Sequence, residues 1–134
     1  LGLDREYNLI IIGAGNLGQA LANYGNFKKR GFNFIGAFDN NPEIIGKKAG
    51  DVVIQNVDGL EDFLKSNKVD IAVLSIPKYN APQISPILVE NGVKGIWNFS
   101  HIDLHTPDDV IVENVHLTDS VMTLSYKLSE LENK

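Results

Sequence analysis

The stretch Leu9-Ile10-Ile11-Ile12-Gly13-Ala14-Gly15-Asn16-Leu17-Gly18 decides the fold. An aliphatic run breaks into Gly-x-Gly-x-x-Gly and resumes with Leu17, Ala20, Leu21 and Tyr24 at helical spacing, which is a strand, a tight turn and a helix. Gly13 admits the turn off the strand, Gly15 keeps a Cβ out of the path of main-chain N–H groups towards a pyrophosphate, and Gly18 lets the helix sit close on the strand. Three glycines alone also suit an ordinary strand-to-helix turn. What lifts the motif above that is Asp39, which closes a second apolar run, Phe34-Ile35-Gly36-Ala37-Phe38, about 20 positions further on. A carboxylate there accepts hydrogen bonds from an adenosine 2′-hydroxyl and repels a 2′-phosphate, and no arginine stands beside it in Asn40-Asn41-Pro42. The pattern favours NAD(H) over NADP(H).

Strand and helix signals alternate outward from this motif. Strands are predicted at 7–12, 34–38, 51–54 (a short edge strand), 71–76, 95–99 and 110–115. Helices are predicted at 16–27, at 60–66 with Asp58 as its cap, and at 80–91, where Pro82 and Pro86 imply an early start and a kink. Such alternation specifies an α/β fold: a Rossmann-like, mostly parallel sheet with helices on both faces and a ligand crevice at the carboxyl ends of the strands, where Gly13, Asp39, Pro77 and Asn98 all fall.

With 134 residues and 43% hydrophobic content, the chain is long enough for one compact α/β domain and too short for a conventional substrate domain besides. A net charge of −5, with basic residues clustered only in the two short runs Lys28-Lys29-Arg30 and Lys47-Lys48, argues against a direct nucleic-acid surface. Without cysteine there is neither a thiolate metal site nor a thiol redox switch. No signal peptide or apolar stretch of membrane-spanning length is present, which makes the cytoplasm the expected compartment and a membrane an unexpected partner. The start at Leu1 suggests a piece of a longer protein.

Catalytic readings fail on placement. Tyr24 and Lys28 have the Tyr-x-x-x-Lys spacing of reductases but end the first helix rather than lying far downstream. His101, Asp103 and His105 alternate, yet sit in a proline-punctuated stretch better read as solvated loop than as a metal site. Ser75, Ser100 and Ser125 lack a nucleophile elbow. From Leu117 onward, Val121, Leu124, Leu128 and Leu131 recur at coiled-coil spacing, a narrow stripe that packs either on its own sheet or on a partner.

Taken together, Gly13 to Tyr24, Phe27, Gly36-Ala37-Phe38-Asp39, Ile45-Gly46, Asp70-Ile71-Ala72-Val73-Leu74-Ser75-Ile76-Pro77, Gly95-Ile96-Trp97-Asn98-Phe99 and Leu124-Ser125-Tyr126 resemble the cofactor domain of the Rex redox-sensing transcriptional repressors. The resemblance implies a Rossmann NAD(H)-binding domain at 1–116 and a dimerisation helix at 117–134. It implies that Gly13, Gly15 and Gly18 hold the pyrophosphate, that Asp39 meets the adenosine ribose, and that Pro77, Asn98, Phe99 and Ser100 flank the nicotinamide half. Ala14, Asn16, Leu17, Asn40 and Ile76 complete the implied cofactor set. Tyr24 matches a tyrosine in a hydrogen-bonded switch between subunits, whose usual aspartate partner is replaced here by His116. Leu117, Val121, Leu124 and Leu128 would lie on a helix exchanged within a homodimer. Members of that family reach operator DNA through a winged helix that these residues lack, so the implied role is sensing the NADH/NAD⁺ ratio, without turnover and without a metal. The alternative is a nucleotide- or CoA-binding domain of an oxidoreductase, ligase or sugar acyltransferase, since Gly36 to Lys47 also resembles a segment of the last.

Overall fold

The computed structural model describes residues 5–77 and 80–133, without the side chains of residues 117–119. Strand β1 (Tyr7–Ile12) is the centre of a seven-stranded sheet, with β2 (Phe32–Asp39), β4 (Val52–Asn56) and β3 (Lys48–Ala49) successively on one side and β5 (Ile71–Leu74), β6 (Gly95–Asn98) and β7 (Ile111–Asn114) on the other. Every pairing is parallel except the β3–β4 hairpin. The chain therefore runs outward from β1 twice, in opposite directions, and the switch between β1 and β5 opens a crevice at their carboxyl ends.

Alternation along β1 assigns the two faces. Ile10 and Ile12, fully buried, join Phe38, Ala72, Leu74 and Ile96 beneath α3 (Leu60–Ser66) and α4 (Ala81–Glu90). Leu9 and Ile11 join Val73 and Phe99 beneath Leu17 and Leu21 of α1 (Asn16–Ala22). Burial of each such side chain contributes about 1.5–3 kcal/mol, so the strands of the first and third apolar runs hold the domain together. Between Leu9 and Ile10 the register slips by one residue of β2, so that Gly36 faces Phe63, where a Cβ would stand 3.0 Å from the ring.

Several boundaries differ from the sequence expectation. The helix expected over 16–27 is two helices, because Asn23 closes α1 by donating both its backbone N–H and its Nδ2 to the Gln19 carbonyl at 3.0 and 2.8 Å. Tyr24 is then extended, and α2 (Gly25–Lys29) starts in a new direction that lays Phe27 edge-on against Phe32, Phe34 and Trp97. Asp58 does not cap α3. Asn56 accepts the Asp58 N–H at 2.9 Å to start a 3-10 turn at Val57–Gly59, and Gly59 is the cap residue of the helix. The edge strand is β3 rather than β4, which pairs on both sides. Pro86 does not break α4: the helix continues through it, since Ala81, Ser85 and Leu88 bury one face on the sheet.

The last helix, α5 (Leu117–Glu132), does not pack on its own sheet. Every described side chain from Ser120 onward is exposed, including Val121 at 65% and Leu124 at 57%.

Candidate functional site

Gly13 sits at the fork where β1 ends between β2 and β5. Its N–H donates to the Phe38 carbonyl at 2.8 Å, its φ of +96° is one that L side chains rarely adopt, and a Cβ would overlap the Ser75 carbonyl. Gly18 is closed in the same way: a Cβ there would overlap the Gly13 carbonyl. Both glycines are thus required by the protein itself.

Gly15 is not. It is the N-cap of α1 with φ −73°, which any residue adopts, and a Cβ built on it meets no atom of another described residue beyond its chain neighbours within 4 Å. That Cβ would project into the space at the positive end of α1, whose first turn has no capping side chain and no acidic residue. Gly15 thus borders open space in which a ligand could approach the first turn of α1.

Asp39, the last residue of β2, faces the same space. Its Oδ2 accepts the Ala14 N–H at 2.8 Å and its Oδ1 the Asn41 N–H at 2.9 Å. Each carboxylate oxygen keeps a second lone pair, so the group ties the glycine loop to β2 while still able to accept from a ligand. A cavity of about 270 Å³ lies between these elements. Of the residues expected from sequence it brings together Gly13, Gly15, Asp39, Asn40, Ile76 and Pro77, and it adds Val57, Ser75, Asn80, Gln83 and Ile84. Asn80 and Gln83 went unnoticed in the sequence, although two amides one helical turn apart at the start of a helix that faces a crevice are a readable signal.

Asn98, Phe99 and Ser100 do not line the cavity. Asn98 is 2% exposed, and its amide is consumed within the protein: Nδ2 donates to the Ile102 carbonyl and to Asn114 Oδ1, while Oδ1 accepts from the N–H and hydroxyl of Ser100. Phe99 packs against Trp97. The three shape the turn after β6.

Tyr24 stands at the α1–α2 break, 54% exposed, edge-on to Phe27, its hydroxyl accepting from Asn26 Nδ2 at 3.3 Å. His116 is the exposed N-cap residue of α5, and Val121, Leu124 and Leu128 are exposed beyond it; the side chain of Leu117 lies outside the described residues. His101, Asp103 and His105 do not converge, and among the described residues no three His, Cys, Asp or Glu are grouped as for a metal. His101 faces His116 instead, with ring centroids 6.0 Å apart.

A second, larger cavity, about 950 Å³, opens on the sheet face that α1 and α2 cover only in part. Tyr7, Phe27, Phe32, Ile71, Trp97 and Ile111 form its apolar floor. Among the described residues no helix is long and apolar enough to cross a membrane.

The family model for the CoA-binding domain matches residues 4–102. The redox-sensing transcriptional repressor Rex of Thermoanaerobacter sp. (strain X514) is 58% identical over 98% of this chain and 59% of its own length. The chain thus spans about three fifths of the curated relatives it matches. A crystal structure of RSP in complex with β-NADH superposes with a TM-score of 0.90 at 58% identity, covering 98% of this chain and 64% of that one. RSP in complex with β-NAD⁺ and operator DNA gives 0.89 at 58% identity, over 98% and 60%.

Proposed function

The chain belongs to the CoA-binding domain family, as a Rex-type member, and from that premise we propose that it is the NAD(H)-sensing domain of a redox-responsive transcriptional repressor. The observation that carries the ligand class is Gly15: its missing Cβ relieves no clash and no strain within the protein, and the space it leaves lies at the positive end of α1, beside the Asp39 carboxylate. A pyrophosphate fits the first feature and an adenosine ribose the second. Gly13 to Gly18 would hold the diphosphate, Asp39 and Asn40 the ribose, and Ile76 and Pro77 the side of the nicotinamide, with Asn98, Phe99 and Ser100 setting the strand end behind it.

The bound group would supply a ring that is cationic when oxidised and neutral when reduced. A domain that surrounds that ring with apolar side chains disfavours the charged form, and a ligand shifts a two-state protein only by its differential affinity for the two states. Among the described residues that line the cavity, Asp39 is the one ionisable side chain, and both its oxygens are held by backbone N–H groups.

Signalling needs a second copy. One chain presents two apolar surfaces without cover, the groove over Tyr7, Phe32 and Trp97 and the stripe of Val121, Leu124 and Leu128, and an exchanged α5 would bury each with the other. Tyr24 and His116, both exposed, would then be available to the partner. In the parent protein, whose operator contacts would belong to a separate winged helix, linkage requires DNA to weaken NADH binding by the factor with which NADH weakens DNA binding. The cytoplasm is the compartment this role implies.

Calorimetric titration with NADH, NADPH and CoA tests the ligand class. NADH should bind more tightly than either, and Gly15→Ala should weaken NADH at least tenfold while costing the fold no more than about 1 kcal/mol, the loss of a favoured N-cap residue, because the new methyl meets no described protein atom. Tighter binding of CoA would favour the activity named by the family model. Undiminished NADH affinity in Gly15→Ala would remove the space before Gly15 as the site.

A further inference from the structure

Two of the three histidines in the chain, 15 positions apart on either side of β7, are brought together by the fold. His101 belongs to the turn after β6 and His116 to the junction between β7 and α5; their ring centroids are 6.0 Å apart at an interplanar angle of 39°. Both segments are anchored by one buried residue. Asn98 folds the turn through its bonds to Ser100 and Ile102, and it fixes the junction by accepting the Val115 N–H at 2.9 Å on its carbonyl and donating to Asn114 Oδ1. His101 is also, among the described residues, the one non-glycine residue with positive φ, at +62°. A left-handed conformation costs an L residue about 1–2 kcal/mol, so the turn holds this imidazole in place against a local preference.

Among the described residues neither ring is used inside the protein. Both residues are exposed, His116 makes no capping bond to α5, and among the described residues neither imidazole has a hydrogen-bond partner. Two neutral imidazoles are donors for a borderline divalent ion, and with metal–nitrogen bonds of about 2.0–2.1 Å two rings sharing one ion have centroids roughly 5–6 Å apart. The observed separation is at the upper end of that span, and both side chains are exposed.

We propose that His101 and His116 form a two-imidazole site for a divalent transition ion of the zinc class, with water in the remaining positions, which pins the root of α5 to the end of β6. The site is independent of the dinucleotide reading, since neither histidine lines that cavity.

The absence of cysteine and the presence of one further histidine, His105, make the test clean. Zn²⁺ titrated calorimetrically into the intact apo chain should bind with one ion per chain at micromolar affinity. His101→Asn, which tolerates the left-handed conformation, and His116→Gln should each weaken it at least tenfold, with melting temperatures recorded to show that both fold; His105→Gln should leave it unchanged. In the proton spectrum substoichiometric Cu²⁺ should broaden the imidazole resonances of His101 and His116 and spare that of His105. Failure to bind Zn²⁺ at millimolar concentration, or binding that survives both substitutions, or equal loss in His105→Gln, would overturn the site, whatever the outcome with NADH.

Discussion

At the scale of single residues, the three glycines of the motif look alike in sequence and differ in cause. Gly13 and Gly18 are demanded by backbone geometry and by carbonyls that only the folded chain brings near, whereas at Gly15 no clash with a described residue excludes a side chain. Gly13→Ala should therefore cost about 3 kcal/mol or more, through left-handed strain and overlap with Ser75, and be seen as a large fall in melting temperature. Asp39 stands out in the sequence as a candidate ribose acceptor; its hold on the Ala14 N–H does not, because no sequence pattern pairs those two positions. Asp39→Ala should lower NADH affinity about 10- to 100-fold, the loss of charged hydrogen bonds worth ~1.5–3 kcal/mol, and narrow the preference over NADPH. A preference for NADH that survives the substitution intact would take Asp39 out of the discrimination. Outside the site, the Lys94 ammonium at 2.7 Å holds the exposed Asp109 carboxyl below its ordinary 3.8. A depressed carboxylate adds stability that is present above its unfolded pKa and lost as pH falls through the folded one, so this contribution disappears only below about pH 4. Lys94→Ala should return the Asp109 titration, followed by carboxyl NMR, towards 3.8, with little change in stability at neutral pH because the pair is exposed.

At the scale of elements, the central strands were plain in the sequence because each is a short apolar run bounded by glycine, proline or asparagine. What failed were the places where a side chain caps a backbone at short range. The α1 helix stops at Asn23 although apolar periodicity continues to Phe27, and the cap before α3 comes from Asn56 and not Asp58. Both are asparagine bonds to nearby backbone, which periodicity does not register. The hairpin strand β3 was missed because its two residues, Lys48 and Ala49, carry no alternation to detect. Pro86 shows the opposite balance, a strong breaker overridden by burial of its neighbours. Its own ring is exposed, so Pro86→Ala should restore a helical N–H donor without opening a cavity and raise stability by about 1–3 kcal/mol in chemical denaturation. A destabilised variant would mean that the proline supports the start of α4 in another way.

At the scale of the whole molecule, one half of the candidate site was readable and the other was not. The glycine loop and Asp39 are local in sequence, while the far wall, from Val57 to Gln83, is assembled by the order in which strands cross. The apolar stripe on the last helix was legible as a periodicity, but sequence left open whether it met its own sheet; the exposure of every described side chain from Ser120 onward settles that for the single chain. A helix of 16 residues is about 24 Å long, and the proposed dimer pairs its exposed apolar stripe with the groove over the sheet. The one tryptophan of the chain, Trp97, lies in that groove and reports on it. Sedimentation of the intact chain should give a dimer whose melting temperature rises with protein concentration, as expected when folding and association are linked. Leu124→Glu combined with Leu128→Glu should give a monomer with red-shifted Trp97 emission and a concentration-independent melting temperature, since carboxylates would replace the apolar side chains proposed to meet Tyr7, Phe32 and Trp97. An intact chain that sediments as a monomer at tens of micromolar, or a double variant in which the Trp97 emission does not move, would sever α5 from the groove.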